Sequence, residues 1–363
     1  MSSGAGNEFM ARALQLAERG LYSATPNPRV GCVIVRDGAI AGEGWHERAG
    51  GPHAEVMALA AAGERARGAT AYVTLEPCHH HGRTPPCDEA LIAAGITRVV
   101  AATLDPDPRT AGQGVARLRS AGMAVETGAL EHAARALNRG FISRVTRGRP
   151  WLRMKIAASL DGKTALLNGK SRWITGEAAR NDGHHWRARA CAIMTGIGTV
   201  RDDDPQLTVR GVATSRQPLR VVIDSRLELR PDARILEGGG VLVACAVDDR
   251  AKALKLRNRG AEIVVIPNAA GKVELPALMH ELGRRGINEL HVEAGYQLNG
   301  SLLNEGCVDE LLLYFAPCFI GDRARGMAAL PELTDLAARL DLRIESTCML
   351  GADIRILAAL EAH

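Results

Sequence analysis

The sequence is poor in aromatic residues and in long apolar runs. Phe, Tyr and Trp make up only 3% of the 363 residues, so any core must be built mainly from Ala, Val, Leu and Ile. No apolar segment is long enough to cross a bilayer. Residues 1–7 lack the basic stretch followed by an apolar run that marks a signal peptide. We therefore expect a cytoplasmic protein without a membrane partner.

The sequence also lacks a strong charge of one sign. Its 45 basic and 41 acidic side chains leave a formal net charge of +4, which is too mild to predict nucleic-acid binding. This charge balance does not exclude an anionic small molecule as a ligand. In a chain without a secretory signal, the eight cysteines are interpreted as thiols or metal ligands before disulfides.

The length and the pattern of elements predict two α/β domains. Residues 1–147 begin with a helix that ends before Gly20 and a hairpin around Asp37-Gly38. Helices and strands then alternate, which predicts a sheet covered by helices on both faces. One helix from residue 130 to about 145 leads into the polar stretch 146–150, where we place the boundary. The predicted strands of this half are residues 30–35, 40–45, 71–75 and 98–103, and its later helices are 54–62, 87–94 and 114–121.

Residues 148–363 show the same alternation and are predicted to form a second α/β domain. The predicted strands are residues 152–157, 192–195, 219–224, 241–245, 262–266, 289–292 and 310–315, and the helices are 177–190, 274–285 and 298–305.

The strongest functional pattern in the first half is a set of three metal ligands and one carboxylate. His53 stands two residues before Glu55, and Cys78 and Cys87 follow downstream. One imidazole and two thiolates suit zinc and leave a fourth tetrahedral position open for water. Zinc lowers the pKa of water towards neutrality, and Glu55 is placed to carry protons beside the metal without ligating it. This pattern is typical of zinc deaminases.

The spacing departs from the usual Pro-Cys-x-x-Cys, because eight residues separate the two cysteines. The intervening loop, residues 79–86, contains three consecutive histidines, which we interpret as a solvated loop with one or two substrate contacts, extra metal ligands being the alternative. Cys87 is predicted to open a helix, where the helix dipole favours a thiolate. Two unrelated core thiols or a disulfide remain the alternatives for the cysteine pair.

With this pattern in place, the sequence resembles the bifunctional riboflavin-biosynthesis deaminase/reductase family over nearly its whole length. The matching segments are residues 25–32 (Thr-Pro-Asn-Pro-Arg-Val-Gly-Cys), 50–55 (Gly-Gly-Pro-His-Ala-Glu), 76–87, 154–162, 199–210 and 292–295. The resemblance implies a cytidine-deaminase-like α/β/α domain followed by a dihydrofolate-reductase-like α/β domain. The first would remove the 2-amino group of a diaminopyrimidinone ribosyl phosphate by zinc-dependent hydrolysis. The second would reduce the ribosyl group to ribityl with NADPH.

The resemblance also implies the reductase contacts. The cofactor residues would be Ala157, Trp173, Thr199, Asp203, Ser225, Gly295, Tyr296, Gln297, Leu298, Asn299, Gly300 and Ser301. The substrate residues would be Ser171, Arg187, Leu207, Arg210 and Glu293. Two arginines suit a phosphate. The chain departs from the usual family pattern at Asp107, where Asn is common, and at Tyr296-Gln297, where Pro-Thr or Gly-Thr is common.

Three features of the second half can be interpreted from the residues themselves. Glycine-rich turns follow the predicted strands at Gly196 and Gly295, where backbone amides can approach a phosphate, although the glycines do not form a Rossmann fingerprint. Arg226 is our own candidate for the 2′-phosphate of NADPH. Lys155 lies in an apolar stretch and is a further candidate for the site.

Two other functions are compatible with part of the sequence pattern. A nucleic-acid or nucleoside deaminase with an accessory domain would use the same zinc chemistry, but a nucleic-acid enzyme should show a basic surface with interleaved aromatics. A binding protein that had lost its activity would normally lack one of the four zinc-site residues, and all are present. We expect a homo-oligomer that acts on a small-molecule phosphoribosylated pyrimidine.

Overall fold

The computed structural model describes residues 3–79, 85–108 and 110–361. The chain divides into two compact units, residues 1–148 and 149–363. Within the described ranges, no helix has the length and apolar character needed to span a membrane.

The described part of the first unit contains six α-helices and five strands. The helices are α1 (Ser3–Glu18), α2 (Ala54–Ala62), α3 (Cys87–Ala93), α4 (Gln113–Ser120), α5 (Glu131–Leu137) and α6 (Arg139–Arg147), and the strands are β1 (Gly31–Arg36), β2 (Ala39–Trp45), β3 (Thr70–Val73), β4 (Arg98–Ala101) and β5 (Ala124–Thr127).

These strands form one sheet in the order β2-β1-β3-β4-β5 across the described residues. The first two strands are an antiparallel hairpin, and both turn residues, Asp37 and Gly38, have positive φ, as the Asp-Gly pair predicts. Residues of α2, α3 and α4 pack on one face of the sheet, and residues of α1 and α5 pack on the other. The predicted two-sided covering is confirmed.

The single helix predicted from residue 130 to about 145 is wrong. The structure has two helices, α5 and α6, which meet at Asn138. The buried Asn138 side chain accepts a hydrogen bond from the backbone N–H of Arg29 at 2.8 Å and donates one to the Arg29 carbonyl at 2.8 Å. The break therefore serves a contact with a residue 109 positions away, which helical periodicity cannot report.

The described part of the second unit contains five α-helices and nine strands. The helices are α7 (Glu177–Arg189), α8 (Ile197–Asp203), α9 (Arg250–Arg257), α10 (Leu275–Arg284) and α11 (Tyr296–Asn304), and the strands are β6 (Trp151–Ser159), β7 (Ala192–Gly196), β8 (Leu219–Ile223), β9 (Val241–Cys245), β10 (Ala261–Val265), β11 (Glu289–Val292), β12 (Glu310–Ala316), β13 (Leu342–Leu350) and β14 (Asp353–Leu360).

Across the described residues, the second sheet has the order β10-β9-β8-β7-β11-β6-β12-β14-β13. Its strands run parallel from β10 to β12, and β14 and β13 add two antiparallel strands at one end. Every strand and helix predicted for this half is confirmed in type, with bounds that differ by a few residues. The sequence prediction omitted β5, α8, α9, β13 and β14.

Candidate active sites

The first site is built at the start of α2, which lies directly on β2. A Cβ atom added to Gly44 would lie 2.5 Å from the carbonyl oxygen of Ala54, so only glycine allows this close approach. His53 is the N-cap residue of α2, with extended backbone. Glu55 lies in the first turn, and its side chain is buried. The packing of α2 on β2 thus holds His53 and Glu55 together at the start of α2.

Cys78 and Cys87 meet His53 at this position. The His53 Nδ1 atom lies 3.2 Å from the Cys87 sulfur and 3.5 Å from the Cys78 sulfur. All three ligand atoms fall within 4.8 Å of one another. Cys87 is the first residue of α3, so the predicted helix start is confirmed.

This donor set fits zinc. Zinc–nitrogen and zinc–sulfur bonds of about 2.05 and 2.3 Å place the two ligand atoms about 3.6 Å apart in a tetrahedral site. The observed separations of 3.2 and 3.5 Å are close to that value. Among the residues that the structure describes, these three are the one cluster able to hold a metal ion. Three protein ligands leave one position for water, which is characteristic of a catalytic zinc site.

The charges around the ligands favour metal binding and proton transfer. The hydrogen bond from Cys87, followed by that from His53, lowers the pKa of Cys78 to about 4, whereas the hydrogen bond to Cys78 and burial raise the pKa of Cys87. Burial and the charge of Cys78 raise the pKa of Glu55 to about 7. A thiolate is therefore available as a ligand at neutral pH, and the carboxyl group is close to the pKa that suits a general acid and base.

Glu76 anchors the segment that carries Cys78. Its buried carboxylate accepts backbone N–H groups from Asp105, Gly112 and Val115 at 3.1, 2.9 and 3.0 Å. Asp107, where the chain departs from the family pattern, is buried next to this network and donates its N–H to Asp105 at 2.8 Å. The departure therefore lies within the framework that positions the Cys78 segment.

Sequence reasoning missed two polar residues beside the zinc ligands. The buried His46 ring packs edge-on against that of His53, with centroids 5.4 Å apart. Its nitrogens contact the Pro52 carbonyl at 2.9 Å and the Asn27 amide at 3.0 Å, and burial lowers its pKa. Asn27 lies in a segment that carried the family resemblance, which was the available signal. The sequence also predicts one or two substrate contacts from the loop of residues 79–86, of which residues 80–84 lie outside the described residues.

The second site is a cavity of about 790 Å³ in the second unit. The turn at Gly196 and the turn at Gly295 both line it, and they are adjacent because a Cβ added to Gly196 would lie 3.2 Å from Leu298. Six of the predicted cofactor residues also line this cavity: Thr199, Ser225, Gly295, Tyr296, Gln297 and Leu298.

The cavity offers donors and cations that suit the phosphate groups of NADPH. Backbone amides at the start of α11 can meet a diphosphate, because the first N–H groups of a helix have no partner within that helix. The cations Arg226 and Lys272 line the same cavity as Ser225. Sequence reasoning missed Lys272, because this residue does not belong to any recognisable motif. Lys272 is brought to Ser225 by the hydrogen bond from the Val273 N–H to the Ser225 hydroxyl at 3.1 Å.

The other predicted cofactor residues lie elsewhere. Asp203 lines a second cavity of about 550 Å³ together with Ser171. Trp173 is 70% exposed, and its ring lies 4.6 Å from the Arg180 guanidinium carbon. Asn299 is buried and bonds the Met327 carbonyl at 2.9 Å. The three remaining residues, Ala157, Gly300 and Ser301, lie on β6 and α11 and do not line the first cavity as described.

The predicted substrate residues Arg187 and Glu293 form a pair. Two nitrogens of Arg187 donate to the two oxygens of Glu293 at 2.5 and 2.9 Å, and the third donates to the Thr208 carbonyl at 3.0 Å. Burial raises the pKa of Glu293, but the Arg187 charge and hydrogen bonds outweigh it and hold that pKa well below its usual range. Burial lowers the pKa of Lys155, whose charge also acts on Glu293. These three residues form a charged cluster.

Two predicted substrate residues stand near this cluster. Arg210 is exposed, and one of its nitrogens lies 3.4 Å from the Thr208 hydroxyl. The Leu207 side chain is buried in a core, and its φ of 50° is unusual for a branched residue. Leu207 can therefore meet a ligand only through its backbone.

Comparisons with known proteins match two separate parts of the chain. Residues 5–103 match the cytidine and deoxycytidylate deaminase zinc-binding region, and residues 150–356 match the RibD C-terminal domain. The riboflavin biosynthesis protein RibD of Escherichia coli (strain K12) is 47% identical over 358 residues, which cover 95% of this chain and 97% of that protein. The chain belongs to the RibD family. RibD of Haemophilus influenzae is 45% identical, covering 96% and 95% of the two chains.

Solved RibD structures agree with this assignment. Acinetobacter baumannii RibD superposes with a TM-score of 0.93 at 43% identity, covering 99% of this chain and all of that one. A Thermotoga maritima diaminohydroxyphosphoribosylaminopyrimidine deaminase/5-amino-6-(5-phosphoribosylamino)uracil reductase has a TM-score of 0.88 at 33% identity, with 99% of each chain covered. The predicted fold class is confirmed. The chain is a bifunctional riboflavin-biosynthesis deaminase/reductase with zinc and NADPH as cofactors, and it acts on a small-molecule substrate.

Proposed function

We propose that each unit carries one of the two reactions: residues 1–147 deaminate the diaminopyrimidinone ribosyl phosphate, and residues 148–363 reduce the ribosyl group of the product. The observation that supports this division most strongly is the convergence of His53, Cys78 and Cys87 beside the buried Glu55 in the first unit. The glycine-lined cavity in the second unit supplies the complementary cofactor site.

In the first reaction the zinc ligands are His53, Cys78 and Cys87. Zinc, when bound, supplies a Lewis acid that makes water acidic near neutral pH. Glu55 takes a proton from water and delivers protons to the ring nitrogen and to the departing amine. Burial raises the pKa of this carboxyl group above its usual range, which suits a group that both accepts and donates protons. Because Glu55 is held at the start of a helix packed on β2, the proton is moved from a fixed position.

In the second reaction NADPH supplies the hydride. The turns at Gly196 and Gly295 hold its diphosphate, and Ser225 with Arg226 and Lys272 holds the 2′-phosphate. The remaining residues proposed for the cofactor are Ala157, Trp173, Thr199, Asp203, Tyr296, Gln297, Leu298, Asn299, Gly300 and Ser301.

The substrate of the second reaction lies against Arg187, Glu293 and Ser171, with Arg210 and the Leu207 backbone nearby. Arg187 uses three of its five N–H groups within the protein and keeps two for a phosphate oxygen. The pair with Glu293 holds the guanidinium in one orientation. The charge of Lys155 also acts on Glu293, and Lys155 is a further candidate contact for the substrate.

We also propose that the chain works as a homo-oligomer in the cytoplasm. Strand β13 is nine residues long and ends the second sheet, and no strand of the described residues pairs with its outer edge. Ile344 and Met349 on this strand are about 60% exposed. Long apolar edge strands favour pairing with another chain. Ile344→Lys should reduce the oligomer measured by analytical ultracentrifugation, and unchanged mass would remove β13 as the interface.

The assignment of function is tested by incubating purified protein with the diaminopyrimidinone ribosyl phosphate, with and without NADPH. Mass spectrometry should find the deaminated ribosyl product without NADPH and the ribityl product with it. Reduction without prior deamination, or no reaction of this substrate, would contradict the proposal.

A further inference from the structure

The eight-residue spacing between Cys78 and Cys87 creates an entropic problem for the metal site. The probability that two points of a flexible chain meet falls with about the 3/2 power of the intervening length. Eight residues in place of two therefore lower that probability about eightfold. A site with the long spacing needs an additional contact that keeps the two thiols together.

The structure contains such a contact immediately beside the two ligands. His79 follows Cys78, and Asp88 follows Cys87. The Asp88 carboxylate accepts a hydrogen bond from Nδ1 of His79 at 2.6 Å. We call this pair the loop clasp. It joins both ends of the intervening segment.

The loop clasp is built into the core at one end. The Asp88 side chain has no exposed surface, and its other oxygen accepts the Glu89 N–H at 2.7 Å. The Asp88 N–H itself reaches the Cys78 carbonyl at 3.3 Å. A buried carboxylate that lost its imidazole partner would be left with unmet hydrogen-bonding capacity, which is unfavourable. The contact is therefore strongly maintained.

His79 is committed to this contact through Nδ1. It does not belong to the metal-binding cluster found among the described residues. The alternative that the histidines of this loop are extra metal ligands therefore does not hold for His79. Its ring is partly exposed, so the side chain can be changed without opening a core.

The geometry points to the loop clasp as a positioning pair that pre-organises Cys78 and Cys87 for zinc. It acts through the ligands, because Nδ1 of His79 bonds Asp88 and His79 does not belong to the metal-binding cluster of the described residues. The inference rests on the zinc site of the proposed function. Partners of this kind around a metal site typically change metal affinity by tenfold to a hundredfold.

The test compares two substitutions of His79 in the full chain. His79→Ala removes the donor, whereas His79→Asn retains an amide N–H close to the position of Nδ1. Zinc affinity is measured by competition with a chromogenic chelator. We expect the zinc dissociation constant of H79A to rise about tenfold and that of H79N to stay close to wild type. Arg98→Ala breaks an exposed ion pair with Glu126 in the same unit and serves as the remote control.

A second measurement separates positioning from general stability. Cobalt(II) replaces zinc, and its absorption bands report the geometry of the two thiolates. The bands of H79A should shift or weaken relative to wild type, and those of H79N and R98A should not. A double variant, H79A with Asp88→Ala, should bind zinc no more weakly than the weaker single variant, because the two residues act through one bond.

Three results would overturn the inference. The first is that H79A binds zinc as tightly as wild type. The second is that H79A and H79N lose zinc affinity equally. The third is that the losses of zinc affinity caused by His79→Ala and Asp88→Ala add up in the double variant. None of these results contradicts the zinc site itself, provided that wild-type protein binds one zinc per chain. Wild-type protein that binds no zinc would contradict the proposed function as well as the loop clasp.

Discussion

Replacement of Glu293 by Ala tests the charged cluster of the second unit. Glu293 accepts two of the three intramolecular hydrogen bonds that Arg187 makes, and the two side chains are 17% and 15% exposed. Removal of one partner of a buried pair costs about 3–5 kcal/mol, because the other charge is left without compensation. The residual exposure of both side chains places the expected cost at the lower end, about 3 kcal/mol.

This cost translates into a measurable shift of thermal unfolding. For a unit of this size, each kcal/mol lowers the melting temperature by about 2–4 °C, so E293A should lower it by about 6–12 °C. Differential scanning calorimetry measures the shift. Reduction of the deaminated substrate should also fall, because Arg187 loses its orientation, whereas release of ammonia should be unchanged.

The matched control is Glu262→Ala. Glu262 also pairs with an arginine, Arg285, at 2.6 Å in the same unit, but it is 67% exposed. Exposed pairs contribute about 0–1 kcal/mol, so E262A should barely change the melting temperature. If E293A and E262A shift it equally, or if E293A retains full reductase activity, the argument from the buried pair is refuted.

The remaining predictions concern the metal and the cofactor. Removal of zinc with a chelator should abolish deamination and leave reduction intact, and Cys87→Ser should lower both metal content and deamination, as elemental analysis and ammonia release will show. Equal activity with and without metal would contradict the zinc site. Wild-type protein should prefer NADPH to NADH, and Arg226→Ala should reduce the ratio of the two kcat/KM values about tenfold or more. An unchanged ratio would remove Arg226 from the 2′-phosphate site.

The zinc site could be predicted from the sequence because its chemistry depends on few residue types at characteristic spacing. His53, Glu55, Cys78 and Cys87 are recognisable before any fold is known, and the structure brings the three ligands together. The strands of the parallel sheet were equally visible, because buried parallel strands are continuous apolar runs.

The features that were missed depend on contacts between distant parts of the chain. The helix break at Asn138 serves the backbone of Arg29, and Lys272 reaches the cofactor cavity through a bond between Val273 and Ser225. Strand β13 lies at the sheet edge and exposes most of its side chains, so burial does not impose a continuous apolar run on it. Tertiary placement, which no local pattern encodes, decides each of these cases.

The central claim is that the two chemistries belong to two separate sites, and Glu55→Gln tests it most directly. The substitution keeps the size of the side chain and removes its proton transfer, so deamination should fall on the order of a hundredfold or more. Zinc content and folding should persist, and the variant should still reduce the already deaminated substrate with NADPH at the wild-type rate. Loss of both half-reactions in folded, zinc-loaded Glu55→Gln protein would contradict the account and favour a single shared site.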